Sequence, residues 1–194
     1  LASDIAAACA AELGLRPTLA DLSGIDPRRL VAAADAVGAT MGQQAHRWGR
    51  PAWRGIPFSP VVDGEVVAVT PWQALAQGAG HDIGLLVGHT RDEQRLFTAL
   101  DGLLGGVSEE QAQDALREFS PVADGGLGYR DAFPAASLEE LYELVHSDWL
   151  FRMPSLHLAD AQITGGGRAH VYELTWPAPG ITMSSLAHCN RARA

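Results

Sequence analysis

The apolar positions of the chain change period along its length. Residues 83–87, Ile-Gly-Leu-Leu-Val, form a short apolar run flanked by polar residues and closed by Gly88. A run of this length reads as a strand buried on both faces, as in a parallel sheet. A polar turn follows, and Leu96, Phe97 and Leu100 then recur at helical spacing. Glu93 therefore falls just beyond the carboxyl end of a buried strand, the edge where ligands collect in open α/β sheets. The same residues, Thr90-x-x-Glu93, also have the spacing of a capping box, in which the carboxylate reaches back to a backbone amide. A helix cap and a catalytic carboxylate both remain open at this stage.

Upstream, Leu1, Ile5, Cys9 and Leu13 share one helical face, with Gly14 as a stop. Asp26-Pro27 places an N-cap before a proline at the first helical position, opening a helix through Leu30, Val31, Ala34 and Val37 towards Met41. Residues 43–59 hold Trp48, Trp53 and Phe58 without periodicity and read as an irregular loop with aromatic anchors. Residues 61–67 read as a hairpin about Asp63-Gly64. Thr70-Pro71 caps a short helix through Leu75.

Downstream, Ser108-x-x-Gln111 and Ser137-x-x-Glu140 open two further helices. Pro154 is expected to kink or end the second. Gly165-Gly-Gly167 reads as a linker turn, and residues 168–176 (RAHVYELTW) as a second strand. Strand, several helices and strand make an α/β pattern with a crossover of unusual length.

Composition narrows the function. At 194 residues with 47% hydrophobic and 19% charged side chains, the chain can bury a core as one domain. A net charge of −9 and the lack of a basic patch argue against nucleic-acid binding. No run of eighteen apolar residues predicts a membrane span, and no membrane partner is expected. Cys9 and Cys189 have neither disulfide-framework nor metal-site spacing. The chain begins with Leu and opens directly into a helical pattern, so we read it as processed or as part of something longer. Compartment and oligomeric state are not encoded in these patterns.

Of seven histidines, none pairs with another at i, i+4 beside a carboxylate, so no zinc site is expected. His170 falls within a strand and His157 within a helix. His188 follows the second strand by about a dozen residues, in a loop. Two parallel strands would deliver Glu93 and His188 to one sheet edge, where a carboxylate can orient an imidazole as in a nucleophile–base–acid triad.

Four stretches carry a resemblance. Residues 58–64 (FSPVVDG), 85–93 (LLVGHTRDE), 147–154 (SDWLFRMP) and 171–179 (VYELTWPAP) stand in the order and spacing of the type-B carboxylesterases, the group of the cholinesterases and bacterial para-nitrobenzyl esterases. The resemblance implies an α/β-hydrolase fold with a Ser-Glu-His triad, Glu93 as its acid and His188 as its base, acting on a small-molecule ester without a cofactor. Residues 1–194 would then be a partial α/β-hydrolase domain, the carboxyl-terminal portion, with 181–194 a divergent tail. Gln94 stands where the family has Gly. Around His188 the family's G-A-x-H and following apolar run are missing. No G-x-S-x-G nucleophile elbow occurs, so the Ser and oxyanion loop are expected outside this chain, which alone would not turn over esters. The alternative is a non-catalytic, truncated or repurposed α/β-hydrolase-like binding module. Lacking further strands, the sheet would present an unpaired edge and an apolar face.

Overall fold

The computed structural model describes residues 1–53, 55–122 and 125–176. The chain divides into two compact units, Leu1–Ala68 and Val69 onward.

In the first unit, α1 (Ala2–Glu12) and α3 (Pro27–Thr40) are the principal helices, with the short α2 (Leu19–Leu22) between them. Gly14 takes φ +69° after α1, the left-handed conformation that ends a helix at least cost in glycine. Asp26 caps α3 by accepting from the Arg28 amide, with Pro27 at the first turn, as the sequence predicts. The expected irregular loop is instead a 3₁₀ turn, Met41–Gln44, followed by two single-turn helices, α4 (Ala45–Trp48) and α5 (Arg50–Trp53). Four-residue helices are too short to leave a 3.6-residue period, and Gly49 at φ +63° separates them. Trp48 is an anchor in the packing sense, buried with Ile5, Val37, Met41 and Ala52. Phe58 remains exposed.

Residues 61–67 turn where expected, but no strands form. The Asp63 carboxylate accepts from the amides of Glu65, Val66 and Val67, giving them a local acceptor in competition with a ladder.

Asp4 holds this unit's ends together, accepting from Arg47 and, at 2.6 Å, from the Trp48 indole. The Arg47 guanidinium, then the indole, hold the Asp4 carboxyl below its ordinary range. A depressed acid stabilises the fold above its unfolded pKa, and that stability is lost as pH falls through the folded value. Asp4→Asn is therefore expected to lower stability at neutral pH and to flatten its decline below about pH 4. Acid titration of Trp48 fluorescence checks this. An unchanged acid transition would contradict it.

The second unit opens with α6 (Pro71–Ala76), whose Thr70–Gln73 capping box forms in full. Strand β1 (Gly84–Thr90) leads into α7 (Glu93–Leu100), then α8 (Glu109–Phe119), α9 (Gly125–Ala132) and α10 (Leu138–Ser147). The Ser108 and Ser137 boxes also form in full. A π-helical turn, Asp148–Arg152, joins α10 to α11 (Met153–Thr164). Pro154 thus does not end the helical stretch, which runs on to Thr164; it lies in the first turn of α11, directly after the π-helical turn. The glycine turn, with Gly166 at φ +87°, returns the chain to β2 (Arg168–Leu174).

β1 and β2 pair in parallel, Gly84 opposite Arg168 through Thr90 opposite Leu174. Gly88 is required by this pairing, since a Cβ there would lie 2.2 Å from the Tyr172 carbonyl oxygen. Helix α11 packs on both strands and on α6. The expectation that β1 is buried on both faces is corrected: Leu86 is 70% exposed and Ile83 67%. Val171, Leu174 and Trp176 are exposed as well. A strand is buried twice only when layers cover both faces, and among the described residues the sheet has two strands. The core of this unit lies instead between α8 and α10, where Leu116, Phe119, Leu141 and Val145 are buried. Among the described residues, no helix is long and apolar enough to cross a membrane.

Candidate active site

Glu93 opens α7 three residues after the last paired residue of β1. The Arg91 amide donates to the Leu174 carbonyl, which turns the Thr90 amide towards the opposite, unpaired edge of β1. There it donates to Glu93 Oε2 at 2.7 Å, and the Thr90 hydroxyl donates to the same oxygen at 2.5 Å. Half of the expected capping box is present. The Thr90 hydroxyl is spent on the carboxylate rather than accepting from the Glu93 amide, because Thr90 is still strand and the helix cap falls at Asp92. The consequence is chemical: one carboxylate oxygen is fixed by two donors. The other, Oε1, accepts no hydrogen bond among the described residues. A carboxylate held on one side and open on the other is what an imidazole-orienting acid requires.

A charged cluster that the sequence reading missed lies between the carboxyl-terminal halves of the two strands. His89 and Glu173 face each other in the strand register, with Nε2 3.5 Å from Glu173 Oε1. Arg91 donates to Glu173 at 3.1 Å and holds its carboxyl below the ordinary range. Arg152 reaches in from the π turn. It donates from Nε to His89 Nε2 at 3.3 Å, lies 3.5 Å from Glu173 and pairs with Asp148. Asp148 accepts in turn from the Tyr129 hydroxyl at 2.9 Å, whose pKa is raised first by burial and then by that carboxylate. Asp148 and Arg152 stand at the local spacing i, i+4. The rest of the cluster is not local, since His89 lies 63 residues from Arg152 and Arg91 lies 82 from Glu173.

A cleft of about 690 Å³ adjoins the start of α7, lined by Asp92, Arg95, Phe133, Glu143, Ser147 and Arg152 among others. Glu143 is raised by burial, with Arg95 at 2.9 Å acting in the opposite direction. His188 lies outside the described residues, as do Cys189 and the serines at 184 and 185. Of the two expected site residues, the structure thus describes Glu93.

No family model matches the chain. Over 108 residues, 54% of its length, it is 34% identical to the para-nitrobenzyl esterase of Bacillus subtilis (strain 168). The fold superimposes on a Geobacillus stearothermophilus carboxylesterase with TM-score 0.70 and 25% identity, covering 92% of this chain. A second crystal structure of that enzyme, at pH 6.8, gives TM-score 0.67 and 26% identity over 91% of this chain. The chain spans 20% of the length of the curated relative and about a third of the solved structures, 35% and 34%. The resemblance to carboxylesterases read from the four motifs is borne out, over part of those proteins' length.

Proposed function

We propose that this chain is the carboxyl-terminal part of an α/β-hydrolase domain and supplies the acid and base of a serine carboxylesterase. Glu93 is the acid and His188 the base, and the nucleophilic Ser and oxyanion amides come from polypeptide outside these residues. The observation that carries the reading is the Glu93 carboxylate at the carboxyl end of a parallel strand, with Oε2 fixed by Thr90 and Oε1 open. Strand β2, paired with β1, precedes His188 in the sequence. The resemblance to esterases adds support.

In this mechanism the Ser oxygen attacks the ester carbonyl carbon while His188 takes its proton. Glu93 fixes the imidazole tautomer and stabilises the imidazolium. Backbone amides hold the oxyanion. His188 then gives the proton to the departing alcohol, and water repeats the sequence on the acyl-enzyme. The substrate is a small-molecule ester, and the chemistry needs no cofactor.

The coding sequence on both sides of this segment tests the reading. An in-frame G-x-S-x-G upstream is the expected finding. A start codon abutting Leu1 with a stop after Ala194 would overturn it and favour the repurposed binding module.

A further inference from the structure

Helix α7 lacks a local cap. Its N-cap residue, Asp92, makes no side-chain capping bond, so the first-turn amides must find acceptors elsewhere. The Gln94 amide cannot use water, because Gln94 is 1% exposed. Its acceptor comes from 53 residues away: the Ser147 hydroxyl, at 3.2 Å and itself buried. The capped residue is the one immediately after Glu93.

The turn that follows Ser147 departs from α-helical geometry. In an α-helix, residues five apart point about 140° away from each other. Between Asp148 and Arg152 the chain switches to i→i+5 bonding, with the Met153 amide donating to the Asp148 carbonyl. That switch brings residues five apart closer to one line. Ser147 grips the start of α7, while Arg152 grips His89 and Glu173 at the ends of both strands. One turn therefore ties the acid's backbone to the strand that precedes the base in the sequence.

We propose that Ser147 is a positioning residue for Glu93, capping α7 from a second helix and so fixing the pose of the carboxylate assigned as the triad acid. This rests on the assignment of Glu93 as the triad acid. Its role is indirect, since Ser147 bonds the Gln94 amide and not the carboxylate.

The test uses the protein from the complete reading frame, with para-nitrophenyl acetate as substrate. Ser147→Ala is expected to lower kcat about 10- to 100-fold, the scale of a small misplacement of a catalytic group, with KM little changed. The acidic limb of the kcat/KM profile should move to lower pH, because a displaced carboxylate stabilises the imidazolium less. Ser147→Thr keeps the hydroxyl and should restore both. Hydrogen exchange in the peptide spanning residues 91–100 should accelerate in the Ala variant and return to normal in the Thr variant. An Ala variant with wild-type kcat and profile would overturn the proposal. So would a loss that follows the folded fraction and leaves the profile in place. Glu93→Gln run in parallel separates the two levels. If it is inactive while Ser147→Ala is unaffected, only the positioning role falls; if it stays active, the acid assignment falls and the positioning role with it.

Discussion

Replacing Glu93 by Gln in the full-length protein is expected to lower kcat for ester hydrolysis by about 10³- to 10⁴-fold, the scale for a neutralised triad acid. The substitution keeps size and shape. The carbonyl oxygen of the introduced amide can still accept from the Thr90 amide, as Glu93 Oε2 does at 2.7 Å. What changes is the group turned to the imidazole. A carboxylate accepts a hydrogen bond from the imidazole N–H and stabilises positive charge on the ring, whereas an amide NH₂ selects the opposite tautomer and supplies no negative charge. Because the substitution keeps an acceptor for Thr90, the melting temperature should move little while kcat collapses. Steady-state kinetics with para-nitrophenyl esters, paired with thermal melts, reads both. Equal loss of stability and activity would mean that Glu93 is merely the helix-stabilising residue its spacing also allows.

The largest effect on stability is expected at Phe119. Its ring is 3% exposed and packs at 4.6 Å from His146 and 4.7 Å from Trp149, inside the cluster of Leu116, Leu141 and Val145. Phe119→Ala removes a buried ring and leaves a cavity between α8 and α10, costing about 3–5 kcal/mol. Domains are stable by only about 5–15 kcal/mol, so the change consumes much of the available margin. Urea unfolding followed by tryptophan fluorescence measures it, with Trp149 as the adjacent reporter. Leu127, 64% exposed, is the control, and Leu127→Ala should stay within about 0.5 kcal/mol. A Phe119→Ala cost below about 1 kcal/mol would contradict the α8–α10 core.

How much of this was legible in the sequence depended on the range of the interactions. Local signals read well. The Thr70, Ser108 and Ser137 boxes and the Asp26-Pro27 start all depend on atoms within four residues, and each formed. Both strands were read from the sequence, the first of them as a short apolar run. Failures came where local polar groups competed with the expected element, as at Asp63, or where elements were shorter than one hydrophobic period, as at α4 and α5. The two-faced burial of β1 failed because burial belongs to the neighbours of a strand and not to the strand.

The place of Glu93 between the end of β1 and the start of α7 was legible because both are local. Ser147, Arg152, His89 and Glu173 were not seen as a cluster. Only the parallel register sets Glu173 opposite His89, and Ser147 and Arg152 meet Gln94 and His89 from 53 and 63 residues away. The segment SDWLFR shows its likeness to a family motif in the sequence, while its physical work emerges only from the structure.

The central claim is that Glu93 completes a triad whose nucleophile lies beyond these 194 residues. It is tested most directly by treating the full-length protein with a fluorophosphonate and locating the adduct by mass spectrometry. The account predicts a single modified Ser, outside this chain and flanked by glycines, with labelling strongly slowed in Glu93→Gln. A protein that takes up no label, or one labelled at Ser184 or Ser185, would contradict it.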